Sequence, residues 1–110
     1  YSPGMKRKFE IARALIHDPK ILLLDEPTKS LDLVSAMELR GLVKNMAKEN
    51  RTVILATHDI HEAMDLCDTF MILKEGSLYA YGTIEELRAN TALAGAALEE
   101  IYLKAVKDDA

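Results

Sequence analysis

Ile21-Leu22-Leu23-Leu24-Asp25-Glu26-Pro27-Thr28 is the stretch on which the reading of this sequence turns. Four apolar residues in succession, closed by Asp25-Glu26-Pro27, have the pattern of a short strand covered on both faces. Upstream, Ser2-Pro3 offers a helix N-cap followed by proline at the first helical position, where the missing N–H costs nothing. Met5, Phe9, Ala12 and Ile16 then recur at helical spacing until Asp18-Pro19 stops the helix.

Downstream, a polar loop leads to a helix from about Leu33 to Glu49, with Ala36, Leu39, Val43 and Met46 as its apolar stripe. Val53 to Ala56 reads as a second buried strand, closed by Thr57-His58-Asp59. A short helix over Ile60 to Leu66 and a strand over Phe70 to Leu73 follow. Glu75-Gly76 turns the chain into Ser77 to Tyr81, a hairpin. Thr83 and Glu86 form a capping box for a helix through Arg88. A last helix, from about Leu93 to Val106, is expected to bury Ala94, Leu98, Ile101 and Ala105. Apolar strands alternating with amphipathic helices predict an α/β layer structure with a mostly parallel sheet.

The chain has 110 residues, enough for one domain or part of one. It carries a formal charge of −4, so its bulk electrostatics give no reason to expect nucleic acid or an anionic membrane as partner. The basic cluster Lys6-Arg7-Lys8 is most simply a solvated helix face. Cys67 is the single cysteine, which excludes an intrachain disulfide. No apolar run approaches the roughly 20 residues that cross a bilayer. The first residue is Tyr and a helix signal begins at once, so the sequence reads as a piece of a larger domain.

In open parallel sheets, ligands bind beyond the carboxyl ends of the strands. Here two successive strands end in ionisable residues, Asp25-Glu26 and His58-Asp59. Apolar residues followed by Asp-Glu make the Walker B pattern, in which a rigid strand fixes a carboxylate for Mg²⁺ and the next acid can take a proton from water. Each element has a plainer reading. Acids at a strand end can cap the next turn, and a histidine there can be a structural hydrogen-bond partner. Ser2 and Gly4 at a helix start suit an anion or are only a cap, and Asp32 can simply cap the long helix.

Taken in order, Tyr1-Ser2-Pro3-Gly4-Met5, Ile21 to Glu26, Ser30-Leu31-Asp32 and Thr57-His58-Asp59 resemble the ATP-binding subunits of ABC transporters, with an exporter-like flavour in residues 1–5. The resemblance spans essentially the whole chain. It implies a partial P-loop NTPase fold of the ABC ATPase type, as one incomplete domain. Residues 1–18 would be the signature helix, 20–74 the core from Walker B to the switch histidine, and 75–110 a hairpin with helices. By the same resemblance Ser2, Gly4 and Met5 belong to the signature that contacts ATP held by an opposite subunit. Asp25 is implied as the Mg²⁺ carboxylate, Glu26 as catalytic base, Asp32 as the D-loop aspartate coupling two sites, and His58 as the switch histidine. The implied cofactors are ATP and Mg²⁺. The implied partners are a second nucleotide-binding domain, arranged head to tail, and transmembrane permease subunits, with no nucleic acid. The implied location is cytoplasmic, on the inner face of the membrane.

Two departures stand out. Pro3 replaces a glycine of the usual signature and removes one backbone N–H, which implies weaker phosphate contact there. No Gly-x-x-x-x-Gly-Lys-Ser/Thr loop occurs in the sequence, so nothing in it cradles the α- and β-phosphates. The 110 residues alone are therefore expected to be inactive. The strand carrying that loop would lie between the Val53 and Phe70 strands, so a gap with an exposed apolar edge, or direct pairing of the two, is expected. Other readings are an ABC-type ATPase of DNA repair or chromosome organisation, or a non-catalytic module of the same fold.

Overall fold

A computed structural model describes residues 2–47, 50–90 and 97–107. The elements run α1 (Pro3–Ala14), β1 (Ile21–Asp25), α2 (Leu33–Ala47), β2 (Thr52–Ala56), α3 (Ile60–Leu66), β3 (Phe70–Lys74), β4 (Ser77–Gly82), α4 (Ile84–Asn90) and α5 (Leu98–Lys107). The chain divides into two compact units, Tyr1–Glu62 and Ala63–Ala110. Tyr1, the expected last residues of the long helix (48–49) and the expected start of the final helix (93–96, with Ala94) lie outside the described residues.

In the first unit, β1 and β2 form a parallel ladder in register from Ile21 opposite Thr52 to Asp25 opposite Ala56. Parallel neighbours need a crossover, and α2 supplies it, with Ala36, Leu39, Val43 and Met46 buried as the stripe predicted. Leu22, Leu24 and Ile11 complete this core.

Three expectations fail here. The β2 strand, read as buried, holds no buried residue, its side chains alternating between exposed and half-buried. The β1 strand is covered on one face only: Leu22 and Leu24 are buried, while Ile21 and Leu23 are 64% and 68% exposed. An unbroken apolar run does not distinguish a covered second face from an open one, because both faces carry the same residues. On α1, Met5, Phe9, Ala12 and Ile16 are exposed. The helix instead buries Gly4 and Ile11, seven residues apart on one edge, with Arg7 and Lys8 half-buried between them. That edge meets α2, where Lys8 pairs with Glu38. A stripe built of glycine and cations carries no hydrophobic period.

In the second unit, β3 and β4 make the expected hairpin, from Phe70 opposite Gly82 to Lys74 opposite Ser77, with a bulge between Ile72 and Leu73. Glu75 and Gly76 both have positive φ, at 49° and 78°, the pairing that a two-residue hairpin turn favours. Thr83 and Glu86 form the expected capping box, Thr83 N–H donating to Glu86 Oε1 at 3.1 Å and Glu86 N–H to Thr83 Oγ1 at 3.3 Å. Phe70, Ile72, Leu87, Leu98, Ile101 and Ala105 form the core. The β2 and β3 strands belong to different sheets. Among the described residues, no helix is long and apolar enough to cross a membrane.

Candidate functional site

Because β1 and β2 run parallel and in register, both strands end on one rim. The ladder continues one step beyond β1, where Glu26 N–H donates to Ala56 O at 2.8 Å. Glu26 then adopts φ 48°, a left-handed conformation uncommon outside glycine and held only where surroundings over-determine it. Its side chain is turned to His58. Glu26 Oε1 accepts from His58 N–H at 3.1 Å and lies 2.5 Å from His58 Nδ1. That hydrogen bond, above all, holds the Glu26 carboxyl below its ordinary range, assisted by the nearby charges of His58 and Lys29. The contact thus favours the carboxylate form of Glu26.

The Glu26 carbonyl is also fixed. Arg7 of α1 donates from Nη1 to Glu26 O at 3.0 Å and to Pro27 O at 2.5 Å, and from Nη2 to Lys29 O at 3.4 Å. Ser2, Pro3, Lys6, Arg7 and Glu10 of the α1 segment, with Asp25, Glu26 and Lys29 at the end of β1, line an open cleft of about 660 Å³. Its three cations, Lys6, Arg7 and Lys29, are matched by three carboxylates, Glu10, Asp25 and Glu26, a mixed lining in which cations can meet phosphate oxygens and an acid can meet a metal ion.

Ser2 is the N-cap of α1, accepting from Met5 N–H at 3.2 Å. A hydroxyl that accepts still has its proton to donate. Pro3 fits as the first helical residue. Gly4 has a packing reason of its own, since a Cβ there would lie 2.8 Å from Ser35 Oγ and 3.0 Å from Ser35 Cβ. Met5 is 58% exposed, and neither it nor Gly4 lines the cleft. Asp32 caps α2, Oδ2 accepting from Ser35 N–H at 3.2 Å, and hydrogen bonding from the Ser35 side chain first, then from its N–H, lowers the Asp32 pKa. The structure thus joins Glu26 to His58 directly and sets Ser2, Asp25 and Glu26 around one cleft, while Asp32 is engaged with its own helix.

Asp25 is exposed at the end of β1, on the same face as Ile21 and Leu23. Among the described residues, no three His, Cys, Asp or Glu side chains converge as a metal cage. Mg²⁺ commonly takes one or two carboxylates and fills its shell with water and substrate phosphate oxygens. An exposed strand-end carboxylate in a cleft of mixed charge fits that mode of binding.

Sequence reading missed Arg7, Arg40 and Glu62. Arg7 looked like part of a solvated cluster. A signal for Glu62 was present, since Asp59 and Glu62 stand at capping-box spacing. Asp59 Oδ1 does accept from Glu62 N–H at 3.2 Å, but the Glu62 carboxyl turns inward and is 1% exposed.

Residues 1–65 match the family model described as "AAA domain, putative AbiEii toxin, Type IV TA system". The chain is 39% identical to the ABC transporter ATP-binding protein NatA of Bacillus subtilis (strain 168) over 79% of its own length and 35% of that protein's. It is 39% identical to the aliphatic sulfonates import ATP-binding protein SsuB 1 of Paraburkholderia xenovorans (strain LB400), over 96% of its own length and 32% of that protein's. A solved structure of the ATP-binding subunit of an ABC transporter superposes with a TM-score of 0.85 at 33% identity, covering 97% of this chain and 45% of the other. The chain spans about a third of the length of these two curated relatives. By sequence and by fold, it belongs to the AAA domain family and to the ATP-binding proteins of ABC transporters, carrying part of their P-loop NTPase fold.

Proposed function

We propose that these residues form the hydrolytic part of a Mg²⁺-dependent ATPase that powers an ABC transporter. The observation that carries this reading is the Glu26–His58 contact at the shared rim of β1 and β2. Water attacks the γ-phosphorus, and the bond from that phosphorus to the bridging oxygen of ADP breaks. Glu26 takes the proton that the water releases. His58 holds the Glu26 carboxylate in place and lies beside the reacting phosphoryl group. Asp25 holds Mg²⁺, which when bound offsets the charge of the phosphate oxygens.

Ser2, Gly4 and Met5 are assigned to the terminal phosphate of ATP held by a second copy of the domain. Asp32 couples the two sites across that head-to-tail dimer. Membrane-embedded permease subunits are the further partners, which places the protein at the cytoplasmic face of a membrane. The 110 residues alone, holding no glycine-rich loop for the α- and β-phosphates, bind nucleotide too weakly to turn it over.

The test is Mg²⁺-dependent ATP binding and turnover by this chain and by the complete product of its gene, each with Glu26→Gln. Turnover only in the complete protein, abolished by Glu26→Gln with binding retained, is the expected result. Normal turnover in Glu26→Gln, or a complete protein that binds no nucleotide, would refute the reading.

A further inference from the structure

Glu62 is the one buried polar or charged residue among the described residues, and the hydrolytic scheme above does not use it. Its Oε1 accepts from the Thr28 hydroxyl and from Arg40 Nε, the latter at 3.5 Å. Its Oε2 accepts from the Thr57 hydroxyl at 2.9 Å. Around it, Asp59 N–H donates to Thr57 Oγ1 at 3.0 Å and Arg40 Nη2 lies 3.4 Å from Asp59 Oδ2. Among the described residues, no buried side-chain polar atom lacks a partner.

The positions of those partners give the cluster its meaning. Thr28 follows Glu26 by two residues, and Thr57 and Asp59 flank His58. One carboxyl group therefore ties the turn after β1 to the turn after β2. A buried carboxylate tolerates few arrangements, because losing any partner leaves an uncompensated polar atom out of reach of water. Those same two turns carry Glu26 and His58.

We propose that Glu62 is a positioning residue for ATP hydrolysis: the hydrogen bonds it accepts from Thr28 and Thr57 lock the two turns that carry Glu26 and His58 into one register. This rests on the role given to Glu26 and His58 above. Glu62 touches neither nucleotide nor water in the reaction. It acts only through the two residues it aligns.

The test is a double-mutant cycle in the complete gene product, with Glu62→Gln, His58→Ala and the pair. Glutamine keeps the shape of the side chain but loses the charge and replaces one acceptor oxygen by an NH₂ donor, which either faces Thr57, whose hydroxyl must then accept instead of donate, or faces Thr28 and Arg40, where donor meets donor. Glu62→Gln should lower kcat on the order of 10- to 100-fold, the scale on which small misplacements act, with KM for ATP changed less than about twofold. In the His58→Ala background the same change should lower kcat less than about twofold, since residues acting as one unit are not additive. Should Glu62→Gln fail to fold, Thr28→Val removes one hydroxyl at nearly constant volume and should show the same pattern in smaller measure.

An unchanged kcat in a folded Glu62→Gln protein overturns the proposal. So does a full, multiplicative effect of Glu62→Gln on top of His58→Ala, the mark of a merely structural residue. If His58→Ala itself leaves kcat intact, the assignment of the hydrolytic site falls and the role of Glu62 falls with it.

Discussion

Gly4→Ala and Gly41→Ala are the same chemical change in two helices, and the structure predicts opposite effects on stability. A Cβ on Gly4 would sit 2.8 Å from Ser35 Oγ and 3.0 Å from Ser35 Cβ, where ordinary contact begins at 3.4 Å. The Ser35 hydroxyl can rotate away, but its Cβ is fixed to the α2 backbone, so α1 and α2 must separate by about 0.4 Å. Overpacking of this kind costs about 1–3 kcal/mol. Removing a helical glycine returns up to about 1 kcal/mol, which leaves Gly4→Ala destabilised by about 1 kcal/mol. A Cβ on Gly41 meets nothing within 4 Å, so only the entropic gain remains there, about 0.5–1 kcal/mol of stabilisation. Urea unfolding of the 110-residue chain, followed by circular dichroism, should separate the two variants by about 2 kcal/mol. At slopes of about 1–3 kcal/mol per molar urea, that difference moves the midpoints apart by roughly 1 M. Adding Ser35→Gly removes both clashing atoms and should recover most of the Gly4→Ala loss. A Gly4→Ala midpoint equal to or above that of Gly41→Ala would refute the close approach of α1 to α2.

Three further outcomes are expected. The Glu26 carboxyl, followed by carbon NMR, should titrate below its ordinary 4.5 and return toward it in His58→Ala. Because the folded value is the lowered one, the contribution of this contact to stability is complete above 4.5 and lost as pH falls through the folded midpoint; a midpoint at or above 4.5 contradicts the His58 hydrogen bond. Leu39→Ala, at a site with no exposure, should lose about 2–5 kcal/mol in thermal or denaturant unfolding. Leu33→Ala, 73% exposed on the same helix, should stay within about 0.5 kcal/mol.

Local chemistry was legible in the sequence wherever neighbouring residues determine the outcome. The Glu75-Gly76 turn and the Thr83–Glu86 box needed only adjacent positions to be read, and the α2 stripe announced itself through its period. The meeting of Glu26 with His58 was legible as a possibility, because two strands ending in ionisable residues share a rim if they run side by side. Features set by distant partners were not legible. The buried edge of α1 is built from Gly4, Arg7, Lys8 and Ile11, residue types that define no apolar face until Ser35 and Glu38 are placed opposite them. The open face of β1 reads the same as a covered one. Glu62 looks like a helix-start acid until Thr28 and Arg40, more than twenty residues away in sequence, are brought to it.

The grip of Arg7 on the carbonyls of Glu26, Pro27 and Lys29 makes α1 and the turn after β1 a single lever. The fulcrum is a planar guanidinium, whose fork cannot follow one oxygen without carrying the others along. One arm ends at Ser2, where the helix opens outward; the other ends at the Glu26 carboxylate. The start of the helix and the acid at the far end of the turn therefore share one anchor, a single guanidinium.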